Sequence, residues 1–203
     1  MIVTDTSVAA IGTLERRIER ALDAAMPRSI VVQLRDRALG DSARVALGRR
    51  LVELTVRHGQ YFIVNERCDM AVVLGAIGVH LPEHGVAPVD ARAVLGPRAW
   101  VSCATHRPEA SVPKGADALV LSPVMAPRKG RAALGISGVA RAQSAMMGHE
   151  DRPLLYALGG VDESNAADCI ASGADGVAVI GAVLNSDDPR PLLRAIGALR
   201  VVL

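Results

Sequence analysis

Gln33, Arg35 and Arg37 follow one another at two-residue spacing in the string Gln33-Leu34-Arg35-Asp36-Arg37, which closes an apolar run. Alternation along a strand puts all three side chains on one face. Two neighbouring guanidinium groups need a counter-charge or an anionic ligand, and the planar fork of arginine suits bidentate contact with phosphate. Asp5 and Glu66, at the ends of neighbouring predicted strands, can supply the counter-charge within the protein, and such ion pairs can coexist with ligand binding. A second group is built of glycine. Gly159-Gly160 follows one apolar run, and Gly181 follows the next, in Ile180-Gly181-Ala182. Glycine lets backbone N–H groups approach an oxyanion closely, and a following helix start adds partial positive charge. The plain alternative is that these glycines only make tight turns.

Weaker signals sit at other strand ends. Asn65 and Glu66 could hold a hard cation, because magnesium takes one or two carboxylates and completes its shell with substrate phosphates and water. His80 closes Gly78-Val79-His80-Leu81 and is equally suited to contacting a ligand or to bonding a backbone carbonyl. Lys129 and Arg131 lie in a Pro- and Gly-rich loop over 123–135, placed either to clamp a phosphate or to remain solvated.

The elements that position these residues alternate regularly. Strands are expected over Ile2–Asp5, Ser29–Leu34, Tyr61–Asn65, Gly78–Leu81, Ala99–Ser102, Ala118–Ser122, Leu154–Leu158 and Gly176–Ile180. Helical patterns follow over Leu14–Ala25, Ser42–Arg57, Asp69–Leu74, Val89–Leu95, a brief Pro108–Ser111, Ser137–Met147, Glu163–Ser172 with Asp162 as N-cap, and Arg190–Leu199. Eight βα units predict a single compact (β/α)8 TIM barrel over residues 1–203. An open doubly wound sheet would place its glycines after the first strand; here they gather after the last two, where barrels bind phosphate.

Composition narrows the function classes. Half of the 203 residues are hydrophobic but only 2% are aromatic, so Ala, Val, Leu and Ile must fill the core. A net charge of +2, from 23 basic and 21 acidic residues, argues against a nucleic-acid surface. No apolar stretch approaches the roughly 20 residues of a membrane span, and the N-terminus lacks a signal-peptide pattern. Cys68, Cys103 and Cys169 are odd in number and scattered, so a cytoplasmic, reducing location is expected and Cys103 reads as a buried thiol. The expected partners are small phosphorylated substrates, with homo-oligomer formation left open.

Six strings in order, QLRDR, IVNERCDMA, GAIGVHL, the SPV…K loop, ALGG and ADGVAVIGAV, resemble the family of thiamine phosphate synthase and its relative thiazole tautomerase. The resemblance covers nearly the whole chain. It implies a transferase of thiamine biosynthesis that joins a hydroxymethylpyrimidine pyrophosphate to a thiazole phosphate and releases pyrophosphate with Mg2+. It further implies that Gln33, Arg35, Arg37 and Lys129 meet the pyrophosphate, with Arg37 in place of a usual lysine. Asn65 and Glu66 take the positions beside the first magnesium, with glutamate where aspartate is usual. Gly160, Ile180 and Gly181 match the thiazole-phosphate pocket, and Ser102 matches a pyrimidine-contacting serine.

Two departures stand out. After His80 the chain reads Pro82-Glu83-His84-Gly85 where the family carries a second magnesium carboxylate, which Glu83 replaces only after a register shift. The threonine-rich loop after the sixth strand reads Met125-Ala126-Pro127-Arg128-Lys129, without hydroxyls. Two other readings follow. A tautomerase would carry a histidine just after the sixth strand, where this chain has Pro123, leaving His106 as the nearest substitute. A non-catalytic barrel binding a thiazole phosphate would tolerate both departures.

Overall fold

The computed structural model describes residues 1–149 and 151–200. Its eight strands are β1 (Ile2–Val3), β2 (Val31–Leu34), β3 (Tyr61–Asn65), β4 (Gly78–Leu81), β5 (Trp100–Thr105), β6 (Ala118–Leu121), β7 (Leu154–Leu158) and β8 (Gly176–Ala178). Each pairs in parallel with the next, in sequence order. A parallel bridge between Ile2 and Val179 closes the ring, with Val3 N–H bonded to the Val179 carbonyl at 2.9 Å. The expected (β/α)8 barrel is therefore the observed one.

Alternation along the strands sorts the apolar residues into two layers. Val32, Leu34, Val64, Val79, Val101 and Leu119 point outward and pack under the helices. Val3, Ile63, Val120 and Ala178 fill the barrel interior. The helix α1 (Ile11–Ala24) buries Leu14, Ile18, Ala21 and Leu22, one stripe at helical spacing, against the outward layer. The other helices are α2 (Asp41–Arg57), α3 (Cys68–Leu74), α4 (Pro88–Leu95), α5 (Gly135–Met146), α6 (Ala166–Ala171), α7 (Gly181–Leu184) and α8 (Arg190–Ala195). None of the described helices is long and apolar enough to cross a membrane.

The two ends of the barrel use polar groups differently. At the strand starts, Gln60 Oε1 accepts the N–H groups of Ser29 and Ile30, at 3.1 and 2.9 Å. Asp117 accepts from Val101 N–H and from Arg92, and Asp175 accepts from Leu155 N–H and from Arg152. These carboxylates and amides cap strand donors that have no ladder partner.

Three local expectations need correction. The segment from His106 to Asp117 forms no helix; Pro108 and Pro113 interrupt it, and β5 instead continues three residues beyond Ser102. The helix expected from Glu163 starts at Ala166, because Asp162 Oδ1 accepts Ser164 N–H and Oγ–H and holds residues 162–165 as a turn. Residues 181–184, where the sequence predicts a helix start behind Gly181 but no named helix, make the single helical turn α7.

Candidate active site at the strand C-termini

The interior layer turns polar at the carboxyl ends of β2 to β5. Gln33, Asn65, His80 and Ser102 are all buried. Gln33 Nε2–H donates to Asn65 Oδ1 at 2.8 Å, and His80 Nδ1 shares a hydrogen bond of 2.9 Å with Ser102 Oγ. Register explains the meeting: Asn65 lies beside His80, and His80 beside Ser102. Buried polar groups left unpaired would cost stability, so these pairs make a satisfied floor beneath the mouth. Ser102 is fully covered and reaches the mouth only through His80.

Above this floor lies a cavity of about 310 Å³ whose lining includes Arg35, Arg37, His80, Lys129 and Arg131. Both ion pairs weighed from sequence are present. Arg35 Nη2 donates to Asp5 Oδ2 at 2.6 Å, and Arg37 pairs with Glu66. Arg35 Nε is buried without an acceptor among the described residues. Burial alone would raise the Asp5 pKa, but hydrogen bonds from Ser7 and the charges of Arg35 and Arg128 outweigh it and hold the carboxyl below its ordinary value. Glu66 adopts a left-handed backbone with φ of 65°, a costly state for a non-glycine residue, and its N–H donates to the His80 carbonyl at 2.9 Å.

His80 carries the largest consequence for pH. Burial first, then the charges of Arg35 and Arg37, push its pKa from 6.5 down to about 4. The unfolded chain therefore binds a proton below about pH 6.5 that the folded chain refuses, so stability is present above that pH and is lost as pH falls toward 4. We expect His80 to contribute a loss of about 2 kcal/mol between pH 7 and pH 5. Urea denaturation at the two pH values, repeated with His80→Gln, measures it. A pH dependence unchanged by the substitution would refute the assignment.

A second cavity, about 490 Å³, opens between the ends of β7 and β8 and is lined in part by Gly159, Gly160, Ile180 and Gly181. Leu158 and Ile180 line both cavities, so the two share a wall. Gly160 has φ of 72°, and a Cβ there would stand 2.5 Å from the Cβ of Ala126, so glycine lets the loop after β6 cross directly over β7. Gly181 is different: its φ is ordinary, and an added Cβ would meet only Asn185 Nδ2, at 3.3 Å.

His106 is the residue that the sequence placed poorly. Its Nδ1 lies 2.6 Å from the Ser122 carbonyl oxygen, so Nδ1 carries the proton and donates, and Nε2 is the acceptor in the neutral ring. The ring lines the mouth together with Arg35. Alternation through Ser102, Ala104 and His106 would have pointed to it had the fifth strand been carried past Ser102. Glu83 also reaches the mouth, where Oε1 accepts His106 N–H at 3.1 Å. Burial, then Asp117, pushes the Cys103 thiol up to about 11, as expected of a buried thiol.

Fold and site together define a barrel that gathers its cations and its glycine turns at the strand C-termini, where barrel enzymes place their chemistry. Residues 1–183 match the family described as thiamine monophosphate synthase, and the chain belongs to that family. It is 37% identical to a thiamine-phosphate synthase of Gloeobacter violaceus over 177 residues, 85% of this chain and 50% of that one. It is 36% identical to a thiamine-phosphate synthase of Thermus thermophilus over 190 residues, 91% of this chain and 87% of that one. The chain thus spans half the length of the first relative and most of the second. The fold matches thiamine phosphate pyrophosphorylase from Pyrococcus furiosus with a TM-score of 0.78 at 23% identity, covering 97% of this chain and 92% of that one. The comparisons lend no support to the tautomerase or binding-protein alternatives.

Proposed function

We propose that the chain is a thiamine phosphate synthase, joining hydroxymethylpyrimidine pyrophosphate to thiazole phosphate and releasing pyrophosphate. The observation that carries this reading is the pair of adjoining cavities, one rich in arginine and lysine and one turned by glycines, in a chain that belongs to the synthase family. In the reaction the bond from the pyrimidine methylene to the pyrophosphate oxygen breaks and its electron pair leaves with pyrophosphate. The resulting cation is stabilised by its own ring, and the thiazole nitrogen attacks to form the new C–N bond. Arg35, Arg37 and Lys129 stabilise the charge that develops on the leaving group, and the floor of Gln33, Asn65, His80 and Ser102 orients the pyrimidine. Gly160, Ile180 and Gly181 frame the thiazole phosphate. No general acid–base pair is required.

Magnesium fits this site only in company with substrate. Among the described residues no group of three or more His, Cys, Asp or Glu side chains stands ready to hold a metal. Glu66 is the carboxylate at the recognised position, held at the rim by Arg37, while Glu83 is bonded to His106 N–H. One carboxylate is enough when phosphate oxygens and water complete an octahedral shell, so magnesium should bind weakly to the free protein and better with pyrophosphate. When bound it would neutralise charge on the departing pyrophosphate.

The test is formation of thiamine phosphate by the purified chain in magnesium and in chelator, with Glu66→Gln in parallel. Product should form in magnesium and be lost in chelator, and the variant should fall by about two orders of magnitude or more while remaining folded. Equal product in chelator would refute the metal's part. No product under any condition, with thiazole phosphate still bound, would replace the synthase by a binding protein.

A further inference from the structure

The cavity between β7 and β8 has an unusual charge balance for an anion site. Its lining side chains include the carboxylates of Asp162 and Glu163, and Arg128 is the one cationic side chain among the described residues that line it. Asp162 is turned toward its own loop, where Oδ1 accepts Ser164 N–H at 2.9 Å and Ser164 Oγ–H at 2.6 Å. Glu163 is exposed at the rim. The helix behind Gly181 is four residues long, too short to supply much dipole. A dianionic phosphate entering this cavity therefore needs a side-chain cation, and Arg128 is placed to be it.

The backbone fixes where Arg128 stands. The loop after β6 is strapped to the end of β7 by three hydrogen bonds: Val124 N–H to the Leu158 carbonyl at 2.9 Å, and Met125 and Ala126 N–H to the Gly159 carbonyl at 2.7 and 3.2 Å. Two residues on, Arg128 and Arg131 exchange backbone hydrogen bonds of 3.0 Å each. Lys129 and Gly130 between them have φ of 51° and 75°, the paired positive values of a tight two-residue hairpin turn. Residues opposite one another in such a hairpin project from the same face. Arg128 thus lines the glycine cavity, Arg131 lines the mouth beside Arg35, and both line a smaller cavity of about 160 Å³ between the two. Neither arginine, nor Lys129, has a carboxylate partner within ion-pair distance among the described residues.

We infer that Arg128–Arg131 is a two-headed anion clamp in which Arg128 binds the phosphate of the thiazole substrate and sets the preference for the phosphorylated acceptor. Arg131, with Lys129, faces the pyrophosphate of the other substrate. This assignment rests on the synthase reading of the two cavities. It gives the hydroxyl-free loop a function of its own: guanidinium groups take over contacts that side-chain hydroxyls would otherwise make.

The experiment compares Arg128→Gln, Arg128→Lys and Arg131→Gln in steady-state kinetics with thiazole phosphate and with its dephosphorylated alcohol. Circular dichroism confirms folding of each variant. Arg128→Gln should raise KM for thiazole phosphate roughly 10- to 100-fold, with kcat within a few-fold of the natural chain. The rise in KM for the pyrimidine pyrophosphate should be much smaller, and the variant should lose most of the natural chain's preference for thiazole phosphate over the alcohol. Arg128→Lys should recover part of the loss, and Arg131→Gln should raise only the pyrimidine pyrophosphate KM. An unchanged thiazole phosphate KM in Arg128→Gln, or equal rises for both substrates, overturns the clamp and leaves the synthase intact. Calorimetric binding of thiazole phosphate separates the two readings. If the natural chain forms no product but binds this ligand, and Arg128→Gln abolishes the binding, the synthase reading falls and the Arg128 assignment stands.

Discussion

Arg35→Ala is expected to lower kcat by about 10²–10³-fold while the barrel stays folded. Arg35 enters the mouth from the end of β2, its Nη2 is 2.6 Å from Asp5, and its Nε has no acceptor among the described residues. Removing the guanidinium does more than delete one cation. It leaves the Asp5 carboxylate, held ionised by Ser7 and by charge, beside the position proposed for a departing anion. The leaving group then meets repulsion where it met attraction. Arg35→Lys restores the charge but not the fork, so it should fall between the natural chain and Arg35→Ala. Single-turnover measurement of product under saturating substrates isolates the chemical step. A rate for Arg35→Ala within three-fold of the natural chain would remove Arg35 from the mechanism.

The largest effect on stability is expected at Gly78. This residue lies in β4 opposite Trp100 of β5, and a Cβ there would stand 1.7 Å from the Trp100 carbonyl oxygen and 2.6 Å from its carbonyl carbon. Both atoms belong to a neighbouring strand, so relief requires β4 and β5 to move apart. Gly78→Ala should cost about 3–5 kcal/mol. For a chain of this size that corresponds to a fall in melting temperature of roughly 6–20 °C. Thermal unfolding followed by circular dichroism measures it. An unchanged melting temperature would mean that β4 can shift without breaking its ladder. His80 sits two residues on, so any such shift also displaces the floor of the mouth.

The barrel was legible because its strands are short apolar runs with abrupt ends. Tyr61–Asn65, Gly78–Leu81 and Leu154–Leu158 begin and end where the sequence places them. The sequence ends the fifth strand at Ser102 because Ala104 carries no strand signal, although Thr105 does, and that boundary hides that His106 faces the mouth. The absent fifth helix follows from Pro108 and Pro113, which leave too little chain between them for a full turn to propagate. At the site, alternation gathered Gln33 and Arg35 correctly on one face, but it cannot say that Ser102 is sealed beneath His80. That depends on register between strands and on side-chain volume, which one sequence does not display. Nor does loop composition reveal that residues 128–131 form a hairpin; Lys129 at positive φ is a conformation that a lysine adopts only when its surroundings impose it.

The bracing of the strand starts by Gln60, Asp117 and Asp175 has a consequence for how this chain can change. Those three side chains hold the strand ends that lie farthest from the mouth, so closure of the ring does not depend on what the mouth loops contain. Beyond Ser122, which also bonds Thr105 and His106, the loop after β6 is tied to the wall by the backbone N–H groups of Val124, Met125 and Ala126, and these three bonds use no side chain. The loop is therefore an exchangeable part. Threonines can give way to arginines there, and ligand preference can drift over generations, without the barrel first having to be rebuilt.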